Sequence, residues 1–169
     1  MHMFTWLLII VVSLAVLAVL AVLAVVAGQL GWLQGAPPAD PGVRDGRLQP
    51  PSATRNSVSS QTALYPDHPQ RQYAAIAPLA VPGNGPATLA RIKVIVEGMA
   101  GARVVQSAPD YLYAQFTSKL LKFVDDVEFW FDPVNNVIQV RSASRVGRGD
   151  LGINRQRIEA VRGALATTP

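Results

Sequence analysis

From Phe4 to Ala27 the chain has no charged side chain and only Thr5 and Ser13 are polar, so its first pattern is an apolar run of 24 residues. At ~1.5 Å per residue a helix of that length reaches roughly 36 Å, enough to cross about 30 Å of hydrocarbon with some tilt. Trp6 and Trp32 bracket the run, as interfacial tryptophans bracket a membrane span. The alternative is a cleaved secretory signal, with Val25-Val26-Ala27 before Gly28 as the processing site. Against it stand the missing basic start and an apolar core longer than the ~7–15 residues of such signals. The expectation is a retained single-pass anchor over 1–27.

Past the anchor the pattern is broken until Tyr73. Residues 28–72 are rich in Pro, Gly, Ser and Gln, including Pro37-Pro38 and Pro50-Pro51, and read as a tether that buries too little apolar surface to offset its ordering entropy. Residues 73–169 then carry the patterns of a folded domain. Tyr73 to Pro78 reads as a short edge strand limited by prolines. Pro86 fits a first helical turn, Leu89, Ile92, Ile95, Val96 and Met99 recur at helical spacing, and Gly98 and Gly101 supply the stop. Arg103 to Ser107 and Tyr111 to Thr117 read as strands joined by the turn Ala108-Pro109-Asp110.

The clearest hairpin is centred on Pro133-Val134-Asn135-Asn136. Its register sets Phe131 against Ile138 and Phe129 against Val140 on an apolar face, and Trp130 against Gln139 and Glu128 against Arg141 on the other. A slip by one residue would scramble both faces, so the pattern specifies the pairing. Glu128 and Arg141 are expected to form an exposed cross-strand pair contributing about a few tenths to 1 kcal/mol. A closing helix, capped by Asp150 or Asn154, puts Leu151, Ile158, Val161 and Leu165 on one side and Arg155, Glu159 and Arg162 on another. The predicted fold is α+β, an antiparallel sheet of four to five strands covered by two helices.

Charge adds one asymmetry. Lys and Arg number 15 and Asp and Glu 11, a net +4. The segment from Arg141 to Arg162 holds six arginines and two acids, so it carries the whole excess while the remaining charges cancel. Cysteine is absent, which fits either redox compartment. No Lys or Arg precedes the apolar run, whereas Arg44 and Arg47 follow it, a bias that taken alone favours a cytoplasmic carboxy-terminal domain. Those arginines lie at the far edge of the relevant window and the amino terminus adds a charge on the other side. The expectation is an extracytoplasmic, periplasmic domain at the cell membrane.

Three motifs are recognisable in order: Phe123-Val124-Asp125-Asp126-Val127-Glu128-Phe129, Arg141-Ser142-Ala143-Ser144-Arg145-Val146-Gly147, and Asp150-Leu151-Gly152-Ile153-Asn154-Arg155 with Arg157-Ile158-Glu159. They resemble the domain of unknown function 1499 family of mostly bacterial proteins, over roughly Asn56 to Leu165, with a weaker match at Asn56-Ser57-Val58-Ser59-Ser60. Many members carry cysteine where Ser57 stands and tyrosine and serine where Arg148 and Gly149 stand, so the chain departs from the family pattern there. The resemblance implies an envelope-associated globular domain and assigns no activity.

Candidate chemistry is sparse. Gly147-Arg148-Gly149-Asp150-Leu151-Gly152 spells a dinucleotide fingerprint, but no second parallel strand or ribose-binding acid follows it, and Asp150 puts a carboxylate where pyrophosphate would sit. Asp125, Asp126 and Glu128 form an acidic cluster in sequence, yet strand alternation sends Asp125 to one face and the other two to the opposite face. With no thiols and only His2 and His68 as imidazoles, a zinc site has no ligand set. Ser142 and Ser144 lack a nearby histidine base, and a pairing with Lys119 or Lys122 has no support in the spacing. No cofactor or metal is expected.

Arginine's forked donors match phosphate and carboxylate oxygens, which makes Arg141, Arg145, Arg148, Arg155 and Arg157 the candidate anion-binding residues. Their ligand would be an anionic lipid headgroup, an envelope glycan or an acidic partner protein. The bland reading has Arg141 pair Glu128, Arg155 and Arg162 pair Glu159, and Arg145 or Arg157 tie the helix to loop carbonyls. Nucleic acid is not expected, because aromatics do not interleave the basic residues. Three functions follow: a membrane-tethered domain that binds or scaffolds an anionic component, a hydrolase or lyase using Asp125, Asp126 or Glu128, or a structural partner of another membrane protein.

Overall fold

The computed structural model describes residues 2–167. The first helix, α1, spans His2–Gln29, and its stretch Met3–Gln29 is long and apolar enough to cross a membrane. Its last turn is not free: Val25 and Ala27 are half-buried and Gly28 is buried against the folded domain. Gly28 is needed there, because a side chain would start 2.5 Å from the Leu121 carbonyl oxygen. Gln29 Nε2 donates to the Leu120 carbonyl at 3.0 Å.

The domain is built on a six-stranded antiparallel sheet: β1 (Ser57–Ser59), β2 (Leu79–Ala80), β3 (Ala102–Ser107), β4 (Tyr111–Thr117), β5 (Val124–Asp132) and β6 (Val137–Ser144). The order is β1-β6-β5-β4-β3, with β2 also on β6. In the central hairpin Glu128 faces Arg141, Phe129 faces Val140, Trp130 faces Gln139 and Phe131 faces Ile138, the expected register. Two helices cover one face. In α3 (Gly85–Glu97) Asn84 caps the start, its side chain accepting from the Ala87 N–H at 3.0 Å with Pro86 in the first turn. Leu89, Ile92 and Val96 of α3 and Ile158, Val161 and Leu165 of α4 (Ile153–Thr167) pack on Leu112, Val127, Phe129, Ile138 and Val140.

The amino-terminal side of the domain differs from expectation. The tether reading of 28–72 and the edge strand at Tyr73 to Pro78 are both corrected. Residues 71–74 form a short helix, α2, and the edge of β6 is occupied by β1 and β2. Leu48 and Val58 are almost fully buried. Leu48 packs with Tyr111 and Tyr113 on the face that the helices leave open. Its backbone is held by side chains, the N–H donating to Gln61 Oε1 at 2.8 Å and the carbonyl accepting from Tyr65 Oη at 2.8 Å. A segment poor in apolar residues is thus ordered by hydrogen bonds around a few buried anchors.

Candidate functional site

The two faces of β5 decide the fate of the charged residues. Asp126 and Glu128 lie under the amino-terminal segment, where strand alternation places them together, and Asp125 points to the helices. Each carboxylate meets one arginine. Arg145 grips Asp126 with two forked bonds of 2.8 Å, Arg141 Nη1 donates to Glu128 at 3.3 Å, and Arg157 Nη2 donates to Asp125 at 2.6 Å. All six side chains are largely withdrawn from water. The acidic and basic candidates therefore neutralise each other in three buried pairs.

That corrects two expectations. Glu128 and Arg141 are not an exposed pair, because Leu48, Tyr111 and the chain around Gly42 and Pro50 cover them. The Gly42 N–H donates to Glu128 at 2.8 Å, Tyr111 Oη donates to it at 2.7 Å, and Arg141 Nε reaches the Pro50 carbonyl at 3.2 Å. Arg145 and Arg157 tie to carboxylates and not to loop carbonyls. Arg155 donates to the Tyr73 carbonyl at 2.6 Å, while Arg162 alone takes Glu159, at 2.9 Å. Arg148 stays exposed, with no ion pair among the described residues.

The tyrosines of β4 complete the buried network, and charge pattern alone does not reveal them. Tyr113 Oη donates to Asp126 at 2.5 Å, and burial followed by that bond raises its phenol pKa. Burial and then the Glu128 charge hold the Tyr111 phenol protonated far above its ordinary range. Their alternation at positions 111 and 113, in register with Trp130 and Glu128 of β5, is the signal that ties them to the acidic face.

At the other end of β5 a cleft of about 940 Å³ opens where β4 and β6 end and α4 begins. Phe116, Phe123, Val146 and Ile153 supply apolar wall, and Lys119 and Lys122 also line it. Neither lysine has an ion pair among the described residues. The Arg157–Asp125 pair closes its floor, with the guanidinium 4.4 Å above the Phe116 ring and Nη1 donating to Ser142 Oγ and Asn154 Oδ1. Those contacts engage both Nη1 donors, and the Asp125 carboxylate on Nη2 already neutralises the Arg157 charge.

The glycine-rich loop beside the cleft holds its own anion. Asp150 accepts from the Gly152 and Asn154 N–H groups at 3.0 and 3.1 Å and from Tyr73 Oη at 2.6 Å. Burial opposes its charge, but the bonds from Tyr73, Asn154 and the backbone outweigh it and lower the pKa. The start of α4 is thereby capped by a carboxylate. Ser142 Oγ and Ser144 Oγ are engaged by Asn154. Among the described residues no three His, Asp or Glu side chains converge on a point that would hold a metal ion.

A family described as "Protein of unknown function (DUF1499)" matches residues 47–165. Neither the curated proteins nor the solved structures yield a match to the chain. The matched stretch starts one residue before Leu48, which covers the charged face, and ends at Leu165, the last core residue of α4. The match covers most of the folded domain, and the chain belongs to the DUF1499 family.

Proposed function

We propose that the protein is a single-pass membrane protein whose domain binds an anionic amphiphile in the cleft beside its anchor, acting as a binding or scaffolding module. The observation that carries this reading is one loop with two jobs. Residues 118–123 form a wall of the cleft through Ser118, Lys119, Lys122 and Phe123, and receive the end of α1 through Leu120 and Leu121. An apolar cleft with a few cationic groups suits a ligand with a hydrocarbon body and an acidic head. Of the five arginines first singled out, Arg141, Arg145 and Arg157 are neutralised by carboxylates and Arg155 donates to the Tyr73 carbonyl, which favours Arg148 together with Lys119 and Lys122 for this role. We further propose an extracytoplasmic side for the domain, to be tested with a carboxy-terminal reporter active only outside the cytoplasm.

The binding test uses the full chain in detergent micelles, titrated with a long-chain anionic phospholipid and read by native mass spectrometry. A retained anionic lipid that is lost when Ala100→Trp fills the cleft, and weakened by Lys119→Glu with Lys122→Glu, is the expected result. Adducts unchanged by both substitutions would refute the site. Ala100 is an exposed turn residue, so its replacement leaves the core intact.

A further inference from the structure

We infer that the domain end carrying Leu120, Phe123, Leu151 and Ile153 is a membrane-docking face, seated in the interfacial layer of the same bilayer that α1 crosses. Leu151 is 99% exposed and Leu120 65%, while Ile153 and Phe123 are about half and a third exposed. Isolated exposed apolar residues are ordinary, but these four belong to two neighbouring segments, the β4–β5 loop and the turn into α4, that both border the cleft. Leu151 is moreover held at φ 52, a left-handed conformation that leucine disfavours, ahead of Gly152 at φ 82. A wholly exposed leucine at a strained turn gains nothing inside the domain. Lys119 and Lys122 line the cleft beside Phe123, Leu151 and Ile153, and Arg148 precedes Leu151 in the turn into α4, an interleaving of cation and hydrocarbon that suits a phosphate-bearing interface.

The occupant follows from the anchor. Met3–Gln29 is 27 residues, roughly 40 Å of helix against about 30 Å of hydrocarbon, so its final turns lie at headgroup depth. The domain covers those very turns at Val25, Ala27 and Gly28, and Gln29 bonds the Leu120 carbonyl. Leu120 is consequently brought to the depth where lipid is the neighbour. Leu30 and Trp32, just after α1, are exposed as well, tryptophan being the residue that favours this layer. The far end of the sheet, at the β5–β6 turn, is the nine-residue length of β5 away, roughly 26 Å, and Val134 there is exposed to water. This docking rests on the reading that α1 spans the bilayer, and holds whether or not the cleft takes a ligand.

Because the chain has no cysteine, a single introduced thiol reports one position. Leu120→Cys, Leu151→Cys and, as reference, Val134→Cys at the β5–β6 turn are labelled with an environment-sensitive fluorophore in the full chain, in nanodiscs of mixed zwitterionic and anionic phospholipid. Labels at 120 and 151 are expected to shift to the blue and to be quenched several-fold more than the label at 134 by lipids spin-labelled near the headgroup. Equal response of all three to a water-soluble quencher, with no effect of the spin-labelled lipid, would overturn the inference. Shielding of 120 and 151 from both quenchers, the sign of a second copy covering the face, would overturn it as well. Val134 is 89% exposed and Leu151 wholly so, so none of the labels disturbs the core.

Discussion

The two faces of the β5–β6 hairpin are covered in opposite ways. Under α3 and α4 the sheet presents Val127, Phe129, Ile138 and Val140, and burial of hydrocarbon is the stabilising agent. Under the amino-terminal segment it presents Asp126, Glu128, Arg141 and Arg145, and the cover is held by hydrogen bonds from Gly42 to Glu128 and from Arg141 to Pro50, while Tyr111 and Tyr113 of β4 bond the carboxylates within the sheet. Nondirectional burial tolerates exchange among apolar residues of similar size. A buried ionic network does not, because each partner left alone retains an uncompensated charge. The apolar face therefore supplies stability, and the charged face fixes which segment may lie over it.

Substitutions on each face sharpen that contrast. Phe129→Ala, in the centre of the apolar face, should cost about 3–5 kcal/mol, seen as an earlier urea transition in circular dichroism of the full chain. Arg145→Met should cost about 3 kcal/mol by stranding Asp126, and adding Asp126→Leu should restore most of it. If the double variant is as unstable as the single, the network supplies net stability and the contrast between the faces fails. Tyr113→Phe should cost about 1 kcal/mol, the loss of one bond to a carboxylate that keeps Arg145.

The smallest effect is a pH dependence. Asp150 has its pKa lowered in the fold, so its contribution is complete above the unfolded value near ~4 and is lost as pH falls through the native one. Asp150→Asn should flatten the acid limb of stability in a pH series of melting curves. An unchanged limb would show that the cap at α4 is not titrating.

What was legible in the sequence tracks the same divide. Strict alternation in Phe129, Phe131, Ile138 and Val140 specifies the hairpin register because a one-residue slip would set Phe129 against Gln139 and scramble both faces, and the unbroken apolar run specifies α1. The cover over the charged face left no comparable trace. Leu48 and Val58 are two apolar residues in a Pro- and Ser-rich stretch, too few to make a period, and their burial depends on bonds from Gln61 and Tyr65 that no pattern announces. Alternation put Asp126 and Glu128 on one face but could not say that Leu48 and the chain around Gly42 and Pro50 lie above them. The cleft was equally hidden, because its wall comes from the β4–β5 loop, the β6–α4 turn and the start of α4, brought together only by the fold.

The central claim is that the end of the anchor and the cleft-bearing end of the domain are one unit at the membrane. The most direct test is a short bismaleimide crosslink between Gln29→Cys and Leu120→Cys in native membranes washed with alkaline carbonate. The account predicts a crosslinked species in the membrane pellet, with no crosslink when Leu120→Cys is replaced by Val134→Cys. Release of the protein into the wash, or a crosslink equally efficient at both positions, would contradict it.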